Sequence, residues 1–371
     1  MPTWGARTMP TPYALPTQQP RYRRERTAHR LDRLRRARSS NFSQKRTGVI
    51  MAEKRFDFAQ AMLDRGLPVP DGITMQGLHD IVDEGVLGAS NHVALALPLV
   101  ARLAEADRPS ARDEALALAS FIAGTRGLGA PIVANALSWQ TSGIADLPLA
   151  EGIATLRTRA AEWDAAATGR RRALITGGLK VLTGCRNPLI YDYSSTVADL
   201  VRELAQTGGL ERMIIPESRA IDGGRRYMDA LRDTDVPILF LPDAALEYAV
   251  ALSDAVLLGA ESLTRDGGIS NTIGSTLAAR AAQAHGKPVY GAADLFKVGE
   301  QYASEVPDQP LRDYDFLLRD GECCATDAPE LEIVPPHLVT AILTELGPVA
   351  PQNLEAALSR RGTCLAIEET T

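Results

Sequence analysis

The chain has 371 residues, of which 45% are hydrophobic and 23% charged, with a net charge of −6. That length admits two domains and a large buried core, and the apolar content is ordinary for a globular protein. No run of eighteen apolar residues occurs, which excludes a transmembrane helix and a membrane partner of that kind.

Four cysteines, Cys185, Cys323, Cys324 and Cys364, match no metal-ligand spacing and no disulfide framework. The vicinal pair Cys323-Cys324 reads most simply as two reduced thiols of a cytoplasmic protein. Charge is unevenly placed. Residues 1–50 hold twelve Arg or Lys against two acids, a balance of +10, which leaves −16 for residues 51–371. The stretch RYRRERTAHRLDRLRRARSS has the look of a phosphate-binding arm or of an organelle transit peptide. It has too few apolar residues to build a core, and Met51-Ala-Glu-Lys is followed at once by a helical pattern. Residues 1–50 are therefore expected to be a disordered basic extension, with Met51 as the real initiator. Nucleic acid is expected to meet this arm at most, because the acidic remainder repels phosphate.

From Lys54 to about Thr168 apolar residues recur at three- and four-residue spacing, through FAQAMLDRGL, LHDIVDEGVL, NHVALALPLVARLAEA and RDEALALASFIAG. That period predicts helices. Pro68, Pro70, Pro98 and Pro109 punctuate them, and Ser110 is placed to cap the helix carrying Glu114. Gly124-Thr125-Arg126-Gly127-Leu128-Gly129-Ala130-Pro131 reads either as a plain helix–helix turn or as an anion loop. Glycines admit a ligand close to the backbone, and an arginine at a helix start suits a phosphate. Helix resumes with PIVANALSW and continues over 156–167, and Gly169-Arg170-Arg171-Arg172 reads as a solvated turn. Residues 51–185 form the predicted helical domain.

After Pro188 the texture changes. Short apolar runs at 189–193, 212–216, 236–241, 255–260 and 288–293 alternate with the helical patterns TVADLVRELAQ, GGRRYMDALRD, AALEYAVALSD and STLAARAAQAH. The expected class is α/β, with the helical domain followed by a Rossmann-like parallel-sheet domain over 186–352, covered by helices on both faces. No Gly-x-Gly-x-x-Gly follows any strand, so no dinucleotide is expected, nor any other cofactor or metal. Beyond the fifth strand, FLLR reads as a short strand and 338–346 as a short helix. His337 is expected to be structural or solvent-facing, and 353–371 to be a tail that frays after Gly362.

Open α/β sheets bind ligands just past the carboxyl ends of their strands. At that edge stand Asp192, Tyr193, Ser194 and Ser195 after the first strand, and Glu217, Ser218 and Arg219 after the second. Asp243 follows the third, Glu261 the fourth, and Asp294 and Lys297 the fifth. Ser194, Ser195 and Asp243 occupy positions typical of helix caps. Glu217, Arg219, Glu261 and Lys297 are charges converging on one edge, where they need partners. The stretch 255–276 is the richest: a buried strand, Glu261, the glycine loop at 266–268, and Asn271 ahead of an alanine-rich helix.

The ordered blocks Asp243-Ala-Ala, Gly259-Ala-Glu261, Gly267-Gly-Ile-Ser-Asn-Thr-Ile-Gly274 and Lys287-Pro-Val-Tyr resemble one superfamily. Gly124-Thr-Arg126, Asn135-Ala-Leu, Pro216-Glu-Ser-Arg219 and Ile333-Val-Pro-Pro336 add to the resemblance, which runs from about Leu78 to Pro351. That superfamily contains the alpha, beta and delta regulatory subunits of initiation factor 2B, and isomerases of methylthioribose 1-phosphate and ribose 1,5-bisphosphate. The resemblance implies a crevice for a small phosphorylated sugar and a homodimer through the C-terminal domain. It implies phosphate contacts at Arg126 and Arg219, whose guanidinium forks suit phosphate. Ser195, Asn271 and Lys297 complete the expected substrate-binding set. The isomerases carry a cysteine after the first strand and an aspartate after the fourth. Tyr193 and Glu261 stand at those positions here, and Thr272 stands at the lysine of an Asn-Lys-Ile-Gly block. Glutamate after the fourth strand is common in the initiation-factor subunits, which are not catalysts.

The expected activity is aldose–ketose isomerisation of a pentose 1-phosphate or 1,5-bisphosphate by a non-standard acid/base pair, Glu261 with Tyr193 or Asp192. The alternative is a non-catalytic, initiation factor 2B-like regulatory or sugar-phosphate-binding protein.

Overall fold

The computed structural model describes residues 57–65, 71–83, 89–319, 321–322 and 324–361. The basic arm at 1–50, Met51, Pro68, Pro70, Cys323, Cys364 and the end after Gly362 lie outside the described residues.

The amino-terminal half is helical, as its period predicts: α1 (Phe58–Leu63), α2 (Gly72–Val82), α3 (Ala89–Ala104), α4 (Ala111–Ala123), α5 (Arg126–Gly129), α6 (Pro131–Thr141) and α7 (Leu149–Val181). Asp57 and Asp71 cap the first two through their carboxylates, which accept from Gln60 N and Thr74 N. One core, including Phe58, Leu78, Leu97, Leu118, Ile122, Leu137 and Trp163, joins these helices.

Three local expectations fail. Pro98 lies inside α3 instead of ending it. Pro98 and Ala94, whose carbonyl loses its helical partner, both lie on the exposed face, open to solvent, while Leu97, Leu99 and Val100 are buried. Ser110 precedes α4 without capping it: its backbone is already helical, and its hydroxyl donates to Glu114 Oε1 at 2.7 Å. The solvated turn at 169–172 does not exist, because α7 runs unbroken for 33 residues. A glycine inside a helix costs only about 1 kcal/mol, and the buried stripe of Leu156, Trp163, Arg170, Leu174 and Ile175 outweighs it. Arg170 is fully buried.

The carboxy-terminal half carries β1 (Pro188–Tyr191), α8 (Ser195–Gln206), β2 (Met213–Pro216), α9 (Gly223–Leu231), β3 (Ile238–Leu241), α10 (Leu246–Ala251), β4 (Ala255–Leu258), β5 (Ser262–Leu263), β6 (Ile269–Thr272), α11 (Ser275–Ala284) and β7 (Val289–Ala292). It ends with β8 (Leu311–Arg312), β9 (Ala328–Pro329), β10 (Leu331–Val334), β11 (Ala341–Thr344), β12 (Gly347–Val349) and α12 (Leu354–Leu358). The central sheet has the order β12-β11-β7-β4-β1-β2-β3 and is parallel except for β12. Successive residues serve opposite faces. Leu189 and Tyr191 join Ala278 and Leu246 on one side, and Ile190 joins Leu174, Val197 and Tyr227 on the other. The expected two-sided α/β arrangement is therefore present, mainly helical overall with a mostly parallel sheet.

Two tail expectations fail. The predicted helix at 338–346 holds strand β11, whose Ile342 and Leu343 are buried on opposite faces of the sheet. FLLR is no strand; Asp315–Leu317 is a 3-10 turn with Phe316 and Leu317 exposed. A second, antiparallel sheet of order β10-β6-β5 grows from the glycine loop and stands beside the ends of β1 and β4. His337 is exposed, and Thr340 N donates to Val289 O to set β11 against β7.

Candidate functional site at the carboxyl edge of the sheet

At the end of β1, Asp192 adopts φ 57°, a left-handed conformation that aspartate tolerates better than most residues. This turn sends its carboxylate inward, where it is 6% exposed. Oδ2 accepts from Thr272 Oγ1 at 2.7 Å, and Oδ1 accepts from Ser218 Oγ at 3.3 Å. Burial pushes this carboxyl above its ordinary range, while the bonds from Thr272, the Tyr193 amide and Ser218, and the charge of Arg226, pull against that rise. Gly223, which opens α9, leaves room for the Asp192 carboxylate, since a Cβ there would collide with it.

The neighbouring side chain goes elsewhere. The half-buried Tyr193 ring packs 5.3 Å from that of Tyr227, with the Arg226 guanidinium 5.4 Å from its centre. Ser194 is the cap of α8, its hydroxyl accepting from Val197 N, and its amide donates to Tyr227 Oη at 3.1 Å. Ser195 is the exposed first residue of that helix. At the end of β2, Ser218 is buried at φ 47°. Asp243 does not cap its own helical turn: its carboxylate accepts from Ser218 N at 2.9 Å and Arg219 N at 2.8 Å, fixing the β2 loop. The Arg219 side chain is exposed and lies 5.2 Å over the Phe316 ring.

After β4 the backbone amide of Glu261 donates to Ser270 O at 2.9 Å, which joins this turn to β6. The half-buried Glu261 carboxylate has no hydrogen bond or ion pair among the described residues. Lys297 Nζ donates to Ala260 O at 2.5 Å, next to Glu261 in the chain. Lys297 ends the 3-10 turn Leu295–Lys297, which Asp294 caps by accepting from Phe296 N at 3.1 Å. From the helical half, Asn135 Nδ2 donates to both Phe296 O and Val298 O, at 2.7 and 2.9 Å.

Of the remaining expected ligand contacts, Asn271 is buried and donates to Ser275 Oγ at 3.0 Å. Arg126 Nε donates to Nδ1 of the buried His92 at 3.0 Å. The structure thus brings Asp192, Ser218 and Thr272 into one cluster and sets Glu261 beside Lys297. It turns Tyr193 to Tyr227, Arg219 to Phe316 and Arg126 to His92.

Two neighbours escaped the sequence reading. Thr272 stood out only for what it replaces, yet it is a direct partner of Asp192. Glu332, opposite Asn271 in the β10–β6 pair, accepts from Gly274 N and Thr276 N at 2.8 and 2.9 Å. A protein carboxylate therefore holds the amino end of α11, where an anion would otherwise be favoured. Cys185 is no nucleophile candidate, because burial first, then the charge of Asp254, pushes its thiol up to about 11. Cys324 is exposed and free. Among the described residues no cluster is arranged to hold a metal ion, and no helix is long and apolar enough to cross a membrane.

Comparison with known proteins gives one family. The initiation factor 2 subunit family matches residues 134–351, more than half of the chain. The chain belongs to that family.

Relatives within and around the initiation factor 2 subunit family are of two kinds. The chain is 29% identical over 182 residues to translation initiation factor eIF2B subunit alpha of Dictyostelium discoideum, a match covering 46% of this chain and 57% of that protein. It is 27% identical over 310 residues to ribose 1,5-bisphosphate isomerase of Haloterrigena turkmenica, covering 79% of this chain and 94% of the relative. A methylthioribose-1-phosphate isomerase of Syntrophomonas wolfei is 28% identical over 189 residues, covering 48% of this chain and 55% of the relative. Among solved structures, the translation initiation factor eIF-2B of Pyrococcus horikoshii superposes with a TM-score of 0.63 at 22% identity, over 76% of this chain and 98% of the other. A tetrameric eIF2B-beta2-delta2 complex from C. thermophilum gives 0.60 at 15% identity, over 78% of this chain and 94% of the other. These likenesses establish the fold. The relatives include sugar-phosphate isomerases and initiation-factor subunits alike.

Proposed function

We propose that this chain binds a phosphorylated pentose at the carboxyl edge of its sheet and isomerises it between aldose and ketose forms, with Glu261 and Asp192 as the acid/base pair. One observation carries the reading. Asp192 and Glu261 follow adjacent parallel strands, β1 and β4, and both are fastened to β6, one through the Thr272 hydroxyl and the other through the Ser270 carbonyl. A carboxyl that burial pushes above its ordinary range thus shares a strand with a carboxylate that has no partner among the described residues. Pairs of carboxyls in unlike environments suit separate acid and base roles.

The reaction starts from a furanose 1-phosphate. Glu261 removes the hydrogen of carbon 2 as a proton while the bond from carbon 1 to the ring oxygen breaks, and Asp192, assigned the acid role, gives a proton to that oxygen. An enol results. Asp192 then takes the proton of the oxygen on carbon 2 as the ketone forms, and Glu261 returns its proton to carbon 1. Lys297 is assigned to a phosphate of the substrate, with Asn271, Ser195, Arg126 and Arg219 as further binding residues. Tyr193, packed on Tyr227, is the less suited acid. The same reading includes a homodimer through the sheet-bearing half, to be checked by sedimentation, with the helical portion at 51–185 and the sheet portion at 186–352 as its domains.

A second reading is a non-catalytic, initiation factor 2B-like protein that binds a sugar phosphate or joins an assembly. It is favoured by Tyr193, whose packed ring stands where the resemblance places the isomerases' cysteine. Thermal shift with ribose 1,5-bisphosphate, methylthioribose 1-phosphate and inorganic phosphate separates the readings. A ligand at 100 times its dissociation constant stabilises by about 2.7 kcal/mol. Stabilisation of both the native protein and Glu261→Gln by one sugar, with conversion by the native protein alone, is the expected result. Stabilisation without conversion favours the second reading, and no stabilisation by any of the three counts against both.

A further inference from the structure

Arg170 has no role in the site as described, and its surroundings are costly. It is 0% exposed, and its Nη1 and Nη2 are buried without a hydrogen-bond partner. A guanidinium in such a place carries a large desolvation cost, and an apolar side chain of similar size commonly serves stability as well. What Arg170 touches is specific. Its guanidinium lies 4.6 Å from the ring centre of Trp163 and 4.5 Å from that of Phe296, close enough for cation–π attraction to both. Its Nε reaches Asp294 Oδ2 at 3.5 Å. Both carboxylate oxygens of the buried Glu345, at the end of β11, accept from Leu295 N at 3.3 and 3.1 Å.

Asp294, Leu295 and Phe296 are the three residues that lead directly to Lys297. The turn is therefore held at Asp294 and Phe296 by Arg170 of α7, at Leu295 by Glu345 of β11, and at the Phe296 and Val298 carbonyls by Asn135 of α6. Long ammonium side chains lose much rotamer freedom when fixed, so a rigid base is what keeps Lys297 Nζ on the Ala260 carbonyl beside Glu261. We infer that Arg170 is a positioning residue that acts through Asp294 and Phe296 to hold Lys297 at the sheet edge. The use of that placement rests on the proposed reading of Lys297 as a phosphate contact; the placement itself does not.

The test has a ligand-free arm and a ligand arm. The chain contains only five lysines, at 45, 54, 180, 287 and 297, so acetylation can be followed at each by peptide mass spectrometry. In the ligand-free full chain, Arg170→Met is expected to speed acetylation of Lys297 by about tenfold, the middle of the range for directly coupled contacts. Lys287, half-buried and placed before the opposite, amino end of β7, should keep its native rate. Arg170→Lys, which keeps the charge but not the stacked plane, should fall between. Asp294→Asn is the second variant, should Arg170→Met fail to fold. An unchanged Lys297 rate, or equal acceleration of Lys287 and Lys297, overturns the inference, the latter because it shows loosening throughout.

In the ligand arm, calorimetry with ribose 1,5-bisphosphate compares Lys297→Met, Arg170→Met and the double variant. Each single change is expected to weaken binding about tenfold, and the double change no further, because the two act through one contact. Additive losses overturn the inference. Faster acetylation with unchanged affinity in Lys297→Met upholds the positioning and removes Lys297 from the proposed phosphate contacts.

Discussion

Thr272 Oγ1 donates to Asp192 Oδ2 at 2.7 Å, across 80 residues of sequence. The bond connects the glycine-loop strand to the end of the first sheet strand, and it favours the ionised form of a carboxyl that burial drives toward the neutral one. Thr272→Val keeps the branched shape and removes the donor, so the Asp192 carboxyl should rise further. A group whose folded pKa is raised contributes stability at low pH that is lost as pH rises through that pKa. Thr272→Val should therefore cost about 1–3 kcal/mol near pH 8 and distinctly less near pH 4. Urea unfolding at the two pH values measures the difference, and a pH-independent loss would contradict the arrangement.

Glu345 provides a second pH dependence of the same sign. Burial and then the negative charge of Asp294 push its carboxyl up to about 7, while its own amide, the Leu295 amide and the positive charge of Arg170 act the other way. Arg361 and Glu300 complete the charges felt in this cluster. The ordinary value is 4.5, so its stabilising contribution is whole below that pH and is lost as pH rises through about 7. Glu345→Gln should flatten the stability profile in this window. Above pH 7 it should leave the protein more stable than the native chain, by up to the order of 3 kcal/mol. Parallel profiles for the two proteins would refute the assignment.

Gly274 opens α11 at φ 103°, and a Cβ there would collide with the Tyr191 hydroxyl, which donates to Ile273 O at 2.9 Å. Alanine at 274 combines a backbone penalty with loss of that bond. Gly274→Ala should cost about 2–4 kcal/mol. Adding Tyr191→Phe removes the nearest clash but leaves the ring Cζ 2.7 Å from the new Cβ, and the strain as well, so the double variant should recover only part of the loss. Melting curves of the three proteins decide this; full recovery would show that φ at 274 is unstrained.

What the sequence disclosed follows from burial. β1, β2 and β4 are covered on both faces, so they appear as unbroken apolar runs, and their ends locate the site edge without ambiguity. β11 was hidden because Leu338, Ile342, Leu343 and Leu346 also fit helical spacing. Only pairing with the edge of β7 makes Ile342 and Leu343 part of a strand. Arg170 was hidden inside a run of three arginines, although 163, 170 and 174 share one helical face and its apolar neighbours mark that face as inward. Choosing between Asp192 and Tyr193 needed the sign of one φ angle, which residue type alone does not give. Thr272 as a partner of Asp192 required the fold of the second sheet, a contact no local pattern encodes.

The central claim, catalysis by Glu261 with Asp192, is tested most directly by following ribose 1,5-bisphosphate by carbon and phosphorus NMR in the presence of the full chain. Conversion to the ketose bisphosphate by the native protein is expected, with loss of conversion and retained binding in Glu261→Gln. Binding without conversion by the native protein, or conversion at the native rate by Glu261→Gln, would contradict it.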